Sequence, residues 1–178
     1  MEKFKAYEIV FSGLKNGKHH FEFEIEQSFF HLFGTDIELD HTKVLGTVVL
    51  DKHSTFMELV LSINGTVDLI CDISGMPYTQ PIENTIEVLI KFGSEYDDSD
   101  AEVITIPSSD HQFNVAQLIY EAITLAIPMK KVSPEAEEND EYEALLEQYS
   151  PKFEEEDEAS SEEIDPRWAA LQKLKNKN

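Results

Sequence analysis

A single cysteine, Cys71, stands among 178 residues, so neither an intrachain disulfide nor a multi-thiolate zinc site can be built from this chain. Positive charge is scarce as well: 14 Lys plus Arg against 36 Asp plus Glu give a formal net charge of −22. Such an anionic surface repels phosphate backbones and anionic lipid headgroups. It argues against a non-specific coat on DNA or RNA and against a membrane-surface role, and it favours positively charged partners. No apolar run approaches the roughly 18 residues of a spanning helix, and Met1-Glu2-Lys3 leads into a strand-like pattern instead of a signal peptide. The expectation is a soluble, cytoplasmic protein. Also missing are a phosphate-cradling glycine loop, a Gly-x-Ser-x-Gly elbow and a His-Glu-x-x-His pair. His19, His20, His31, His41, His53 and His111 share no ligand spacing, and the carboxylates are too many for any catalytic pair to stand out. The residues point to no catalytic group, no metal and no cofactor, hence to a protein that is not an enzyme.

What is present is ample apolar material, 41% hydrophobic residues including 11 Phe, enough for a real core. It is unevenly spread. Residues 1–130 hold nearly all of the β-branched and aromatic side chains and read as a β-rich core domain ending in a helix. From Lys131 to Asp165 there are 15 acidic and 2 basic residues, with Pro134, Pro151 and the run Phe153-Glu154-Glu155-Glu156-Asp157-Glu158. Too little apolar area is available there to offset the entropy of ordering, so 131–165 reads as a largely extended acidic tail or linker, with a short helical pattern at Glu141–Tyr149. It is either a solubilising linker or a polyanion mimic that shields or steers a basic partner. Residues 166–178 turn basic, with Arg167, Lys173, Lys175 and Lys177 and no acid.

Within the core the expected class is α+β, mainly antiparallel sheet packed by one long helix. Tyr7–Phe11 and His20–Ile25 flank a turn at Asn16-Gly17, and Phe21, Phe23 and Ile25 alternate with His20, Glu22, Glu24 and Glu26. Further strands fit Val44–Asp51, Phe56–Ser62, Thr66–Ile73, Thr85–Phe92 and Glu102–Ile106. Asn64-Gly65 reads as a hairpin turn. A three-residue loop Ile63-Asn64-Gly65 pairs Leu61 with Val67, Leu59 with Leu69 and Met57 with Cys71 on one apolar face, whereas a two-residue loop sets apolar against polar. Cys71 then points inward from a strand end, as a small buried hydrophobe more readily than as a nucleophile. Asn114 with Gln117 three residues on is an N-cap pattern. Val115, Leu118, Ile119, Ala122, Ile123, Ala126 and Ile127 follow at helical spacing until Pro128 stops the run. The stripe is wide, so this helix should lie across the sheet.

The most suggestive local feature is Asp165-Pro-Arg-Trp-Ala-Ala-Leu-Gln-Lys-Leu-Lys175. Asp165 suits an N-cap and Pro166 the first helical position. Trp168, Leu171 and Leu174 share a face, with Arg167 and Lys175 supplying charge. This basic amphipathic segment beyond an acidic tether either folds back onto its own chain or docks onto a partner.

Three stretches taken in order resemble the YceD family, the large ribosomal RNA subunit accumulation proteins. They are Val67-Asp-Leu-Ile-Cys-Asp-Ile-Ser-Gly-Met-Pro-Tyr78, Asn114-Val-Ala-Gln-Leu-Ile-Tyr-Glu-Ala-Ile-Thr-Leu-Ala-Ile-Pro128 and the terminal Asp165–Lys175 segment. The family layout places a Cys-x-x-Cys segment where this chain has Cys71 and Ser74. A metal clip at that corner is therefore not completed here, and packing around Cys71, Pro77 and Tyr78 is left to hold the turn. The resemblance implies a role in accumulation or processing of large-subunit ribosomal RNA. Combined with the charge, it implies a basic ribosomal protein or pre-ribosomal particle as first partner, with ribosomal RNA affected indirectly. A general acidic chaperone for basic proteins and, with less support, an RNA-processing enzyme are the competing expectations.

Overall fold

The computed structural model describes residues 2–34, 39–137 and 148–149. By its internal contacts the chain divides into two compact units, Met1–Tyr142 and Glu143–Asn178. The first unit is an α+β domain in which a sheet predominates. A 3-10 turn, Glu2–Tyr7, runs into β1 (Glu8–Val10). Then follow β2 (Gly17–Glu26), α1 (Gln27–Phe30), β3 (Asp40–Lys52), β4 (Phe56–Ile70), β5 (Pro77–Gly93), β6 (Val103–Pro107), β7 (Gln112–Asn114), α2 (Ala116–Ala126) and α3 (Pro134–Glu137). Five strands form one sheet in the order β2-β3-β4-β5-β6, and β1 and β7 form a separate two-stranded ribbon. All neighbours are antiparallel except β5 and β6, which run parallel. No helix of the described residues is long and apolar enough to cross a membrane.

The long strands alternate between a more buried and a more exposed residue, as the pleat requires when one face is covered and the other is wet. Val44, Val48 and Leu50 of β3, Met57, Leu59, Leu61, Ile63, Val67 and Leu69 of β4, and Ile82, Val88 and Ile90 of β5 line the inner face. Across it lies α2, against β4 and β5. Its apolar stripe, Leu118, Ile119, Ala122 and Ile123, is buried on the sheet, and Asn84 Nδ2 donates to the Ala122 carbonyl at 3.0 Å. The helix thus lies where its wide stripe places it, but its 11 residues make it ordinary in length instead of long. The expected capping pair separates. Asn114 Oδ1 accepts the Ala116 N–H at 2.9 Å, whereas Gln117 reaches forward to Glu121 Oε1 at 2.7 Å. Asn114 also donates through Nδ2 to the Phe4 carbonyl at 2.9 Å, so the helix start is tied to the N-terminal turn.

Two strand pairings differ from the sequence reading. Asn16-Gly17 does not close a hairpin, because β1 pairs with β7 through Ile9 and Phe113, while β2 pairs with β3. Asn64-Gly65 is no turn either. Residues 56–70 form one continuous strand, with Asn64 beside Leu45 and Glu83, and Gly65 beside Val44 and Ile82. The odd-numbered residues from Met57 to Leu69 fall on one face whether the chain turns through three residues or runs straight. The apolar pattern alone was therefore satisfied by both. What Gly65 supplies is close approach. A Cβ there would sit 2.6 Å from the Val44 Cα and closer still to the Lys43 carbonyl, next to the register shift between Asp40 and Lys43.

An aromatic cluster closes the end of the core where the N-terminal turn, α1 and α2 meet. Phe29 packs against Tyr7, Phe30 and Phe33 with ring centroids 4.9, 5.4 and 5.3 Å apart, and Phe33 stacks on Tyr120 at 4.5 Å.

Candidate functional site

The three family-motif residues meet at one corner of the sheet. After Ile70 the chain turns through residues 71–76 and re-enters the sheet at Pro77, which pairs with Ile70. The Cys71 N–H donates to the Met76 carbonyl at 2.9 Å, and the Gly75 N–H donates to the Cys71 carbonyl at 2.9 Å. Gly75 has φ 69°, the left-handed conformation that glycine adopts without penalty. The Cys71 side chain is buried, and its Sγ accepts the N–H groups of Ser74 at 3.5 Å and Ser133 at 3.4 Å. The Ser74 side chain, followed by these backbone donors, holds the thiol well below its usual range, at about 6, against the opposing effect of burial. Hydrogen bonding as well as packing therefore holds this turn.

Residues 131–137, counted with the acidic tail on composition, are tied to the same corner. The Asp72 N–H donates to the Lys131 carbonyl at 2.7 Å, and the Lys131 N–H returns to Asp72 Oδ2 at 2.8 Å. Ser133 accepts the Ala136 N–H on both its carbonyl and its hydroxyl, starting α3. A groove lined by Ser74, Tyr78, Thr79, Ser133 and Glu135 opens beside it. The Tyr78 hydroxyl is buried and has no hydrogen-bond partner among the described residues. Burial, then the charges of Cys71 and Asp72, push its pKa up. The donor set does not fit a metal clip: one sulfur is present where a tetrahedral site needs four ligands, and N–H donors occupy its flanks.

The second feature is the outer face of the five-stranded sheet, against which no helix of the described residues packs. Register places side chains there in rows: Glu24, Leu45, Asn64 and Glu83; Glu22, Thr47, Ser62 and Thr85; His20, Val49, Val60 and Glu87. Leu45, Val49, Val60 and Leu89 form an interrupted apolar strip among carboxylates that also include Glu26, Asp51, Glu58 and Asp68. Lys18, Lys43 and Lys91 share the face. Yet the only ion pairs among the described residues are His41–Asp68 at 3.0 Å and His53–Asp51 at 3.7 Å, neither involving Lys or Arg. Among the described residues this face thus carries more carboxylates than lysines, with no ion pair between them. The sequence reading saw the alternation on β2 but not this assembly, which needs the register of four strands. The other predicted contact residues, Asp165, Pro166, Arg167, Trp168, Leu171, Leu174 and Lys175, lie outside the described residues.

The described residues form a mainly antiparallel α+β domain, with α2 across one face of the five-stranded sheet. No curated relative and no solved structure matches the chain. A family model does, over residues 59–175, well over half of the length. The chain belongs to that family, described as large ribosomal RNA subunit accumulation protein YceD.

Proposed function

We propose that the protein is a non-enzymatic ribosome-biogenesis factor of the cytoplasm. In this reading it supports accumulation or processing of large-subunit ribosomal RNA by binding a basic ribosomal protein or pre-ribosomal particle. The family assignment supplies the ribosomal link. The observation that carries the binding mode is the open sheet face, whose carboxylates have no Lys or Arg ion pair among the described residues. A basic protein supplies the missing counter-charge, and the strip of Leu45, Val49, Val60 and Leu89 supplies apolar area on which its side chains settle. RNA carries the same sign as this face and is affected through the bound protein. The terminal segment, with Trp168, Leu171 and Leu174 between Arg167 and Lys175, is a second anchor in this reading.

The test is affinity capture of the tagged full chain from its own cells at low and moderate salt. It is compared with a Glu24→Gln, Glu83→Gln, Glu87→Gln triple variant and with Trp168→Ala. Large-subunit proteins retained by the parent should be lost from the triple variant and reduced with Trp168→Ala, while neither variant unfolds at a lower temperature than the parent. Retention unchanged in the triple variant would remove the sheet face from the mechanism. The same acidic surface also supports a general chaperone of basic proteins. That reading predicts equal competition by any unrelated basic protein at matched charge.

A further inference from the structure

The β3–β4 hairpin gathers three metal-ligating side chains that are far from any familiar ligand spacing in sequence. β3 ends at Lys52 and β4 begins at Phe56, and the His53 N–H closes the turn on the Phe56 carbonyl at 3.0 Å. Register sets Asp51 directly opposite Glu58. The His53 ring stacks on Phe56, centroids 4.5 Å apart and planes 25° from parallel, which fixes the direction of its nitrogens. One donor atom from each of Asp51, His53 and Glu58 lies within 4.8 Å of the other two.

Three features separate this group from ordinary surface polarity. Two carboxylates directly opposite on adjacent strands repel, so the hairpin carries an unfavourable pair that a cation relieves. Two neighbouring lysines form no ion pair with it among the described residues. Lys52 Nζ is committed to the carbonyls of Phe11 and Leu14 at 2.8 and 2.9 Å. Lys18, opposite Asp51 on β2, makes no ion pair with it. Lastly, His53 Nε2 stands 3.7 Å from Asp51 Oδ1. That is too long for a hydrogen bond, yet close to the separation of about 3.4 Å between two ligands that sit about 2.1 Å from a shared tetrahedral ion.

We propose that Asp51, His53 and Glu58 form a binding site for a first-row divalent metal ion such as Zn²⁺. One imidazole nitrogen with two carboxylates suits Zn²⁺ and its neighbours better than Ca²⁺ or Mg²⁺, which favour all-oxygen shells. Small rotations of the two carboxylates bring the three donors onto one ion, and water completes the shell. The site is independent of the ribosomal reading.

The test is calorimetric titration of the full chain with Zn²⁺ at about 0.15 M salt with excess Mg²⁺, which occupies diffuse carboxylate sites. One site per chain is expected, weakened at least tenfold by His53→Ala and by Asp51→Asn, and unchanged by His31→Ala. Glu58→Gln, at an exposed position outside the turn, should weaken it similarly and decides the matter if the His53 variant fails to fold. Absence of a saturable site over Mg²⁺, or a site that survives both His53→Ala and Glu58→Gln, would overturn the assignment.

Discussion

At Cys71 the chain holds a thiol where its charged form is favoured. The Ser74 side chain and the N–H groups of Ser74 and Ser133 direct positive dipole at Sγ and bring its pKa to about 6. In the unfolded chain an ordinary thiol titrates near about 8.5. A folded-state pKa below the unfolded one means that the group's contribution to stability is fully present above the unfolded value. It is lost as pH falls through the folded one. Denaturant unfolding of the parent and of Cys71→Ser, whose hydroxyl does not ionise, should therefore diverge in the parent's favour from about pH 6 to about pH 9. A difference that stays flat across that window would show that folding leaves the thiol's pKa unshifted. Cys71, Pro77 and Tyr78 were visible in the sequence as a motif. The partners that tune the thiol were not, because Ser133 arrives from 62 positions away.

For the elements, the informative case is the stretch around Asn64-Gly65. Asparagine before glycine is the strongest short-range turn signal, and it outweighed continuity in the sequence reading. The period-2 pattern cannot arbitrate, since a loop of three and a straight strand keep the same parity. Only the register of β3 and β5 on either side reveals a central strand. Substitution separates the two architectures cleanly. Asn64 is an exposed strand position facing out of the sheet, so Asn64→Val should leave stability within about 0.5 kcal/mol of the parent. In a tight turn the same β-branched residue would be strongly unfavourable. Gly65→Ala, by contrast, drives a methyl into the Lys43 backbone and should cost about 1–3 kcal/mol, as overpacking does. Urea unfolding of both variants checks the pair, and a costly Asn64→Val would restore the turn. The core helix and β2 were legible because each carries its own local periodicity. The aromatic cluster of Tyr7, Phe29, Phe33 and Tyr120 was not, because it depends on three segments meeting.

For the whole molecule, the net charge of −22 is a statement about energy as well as about partners. Ion pairs among the described residues involve only His41 and His53, so Lys and Arg give little local compensation for the repulsion among carboxylates. At about 0.01 M salt the Debye length is about 30 Å, and repulsion acts across the full width of such a domain. At about 0.15 M it is about 8 Å, and only neighbouring rows of the sheet still interact. Compact folding brings these charges closer than the unfolded chain does, so screening should favour the folded state. The melting temperature is therefore expected to rise between these two salt concentrations and to level off beyond them. The Glu24→Gln, Glu83→Gln, Glu87→Gln variant should start higher and gain less. A melting temperature that falls as salt is added would mean that attractive pairs dominate, contrary to the inventory of the described domain. The same repulsion bears on binding. A basic partner that settles on the sheet face relieves it directly, so the stabilisation conferred by that partner should be largest at low salt and shrink as screening takes over the task.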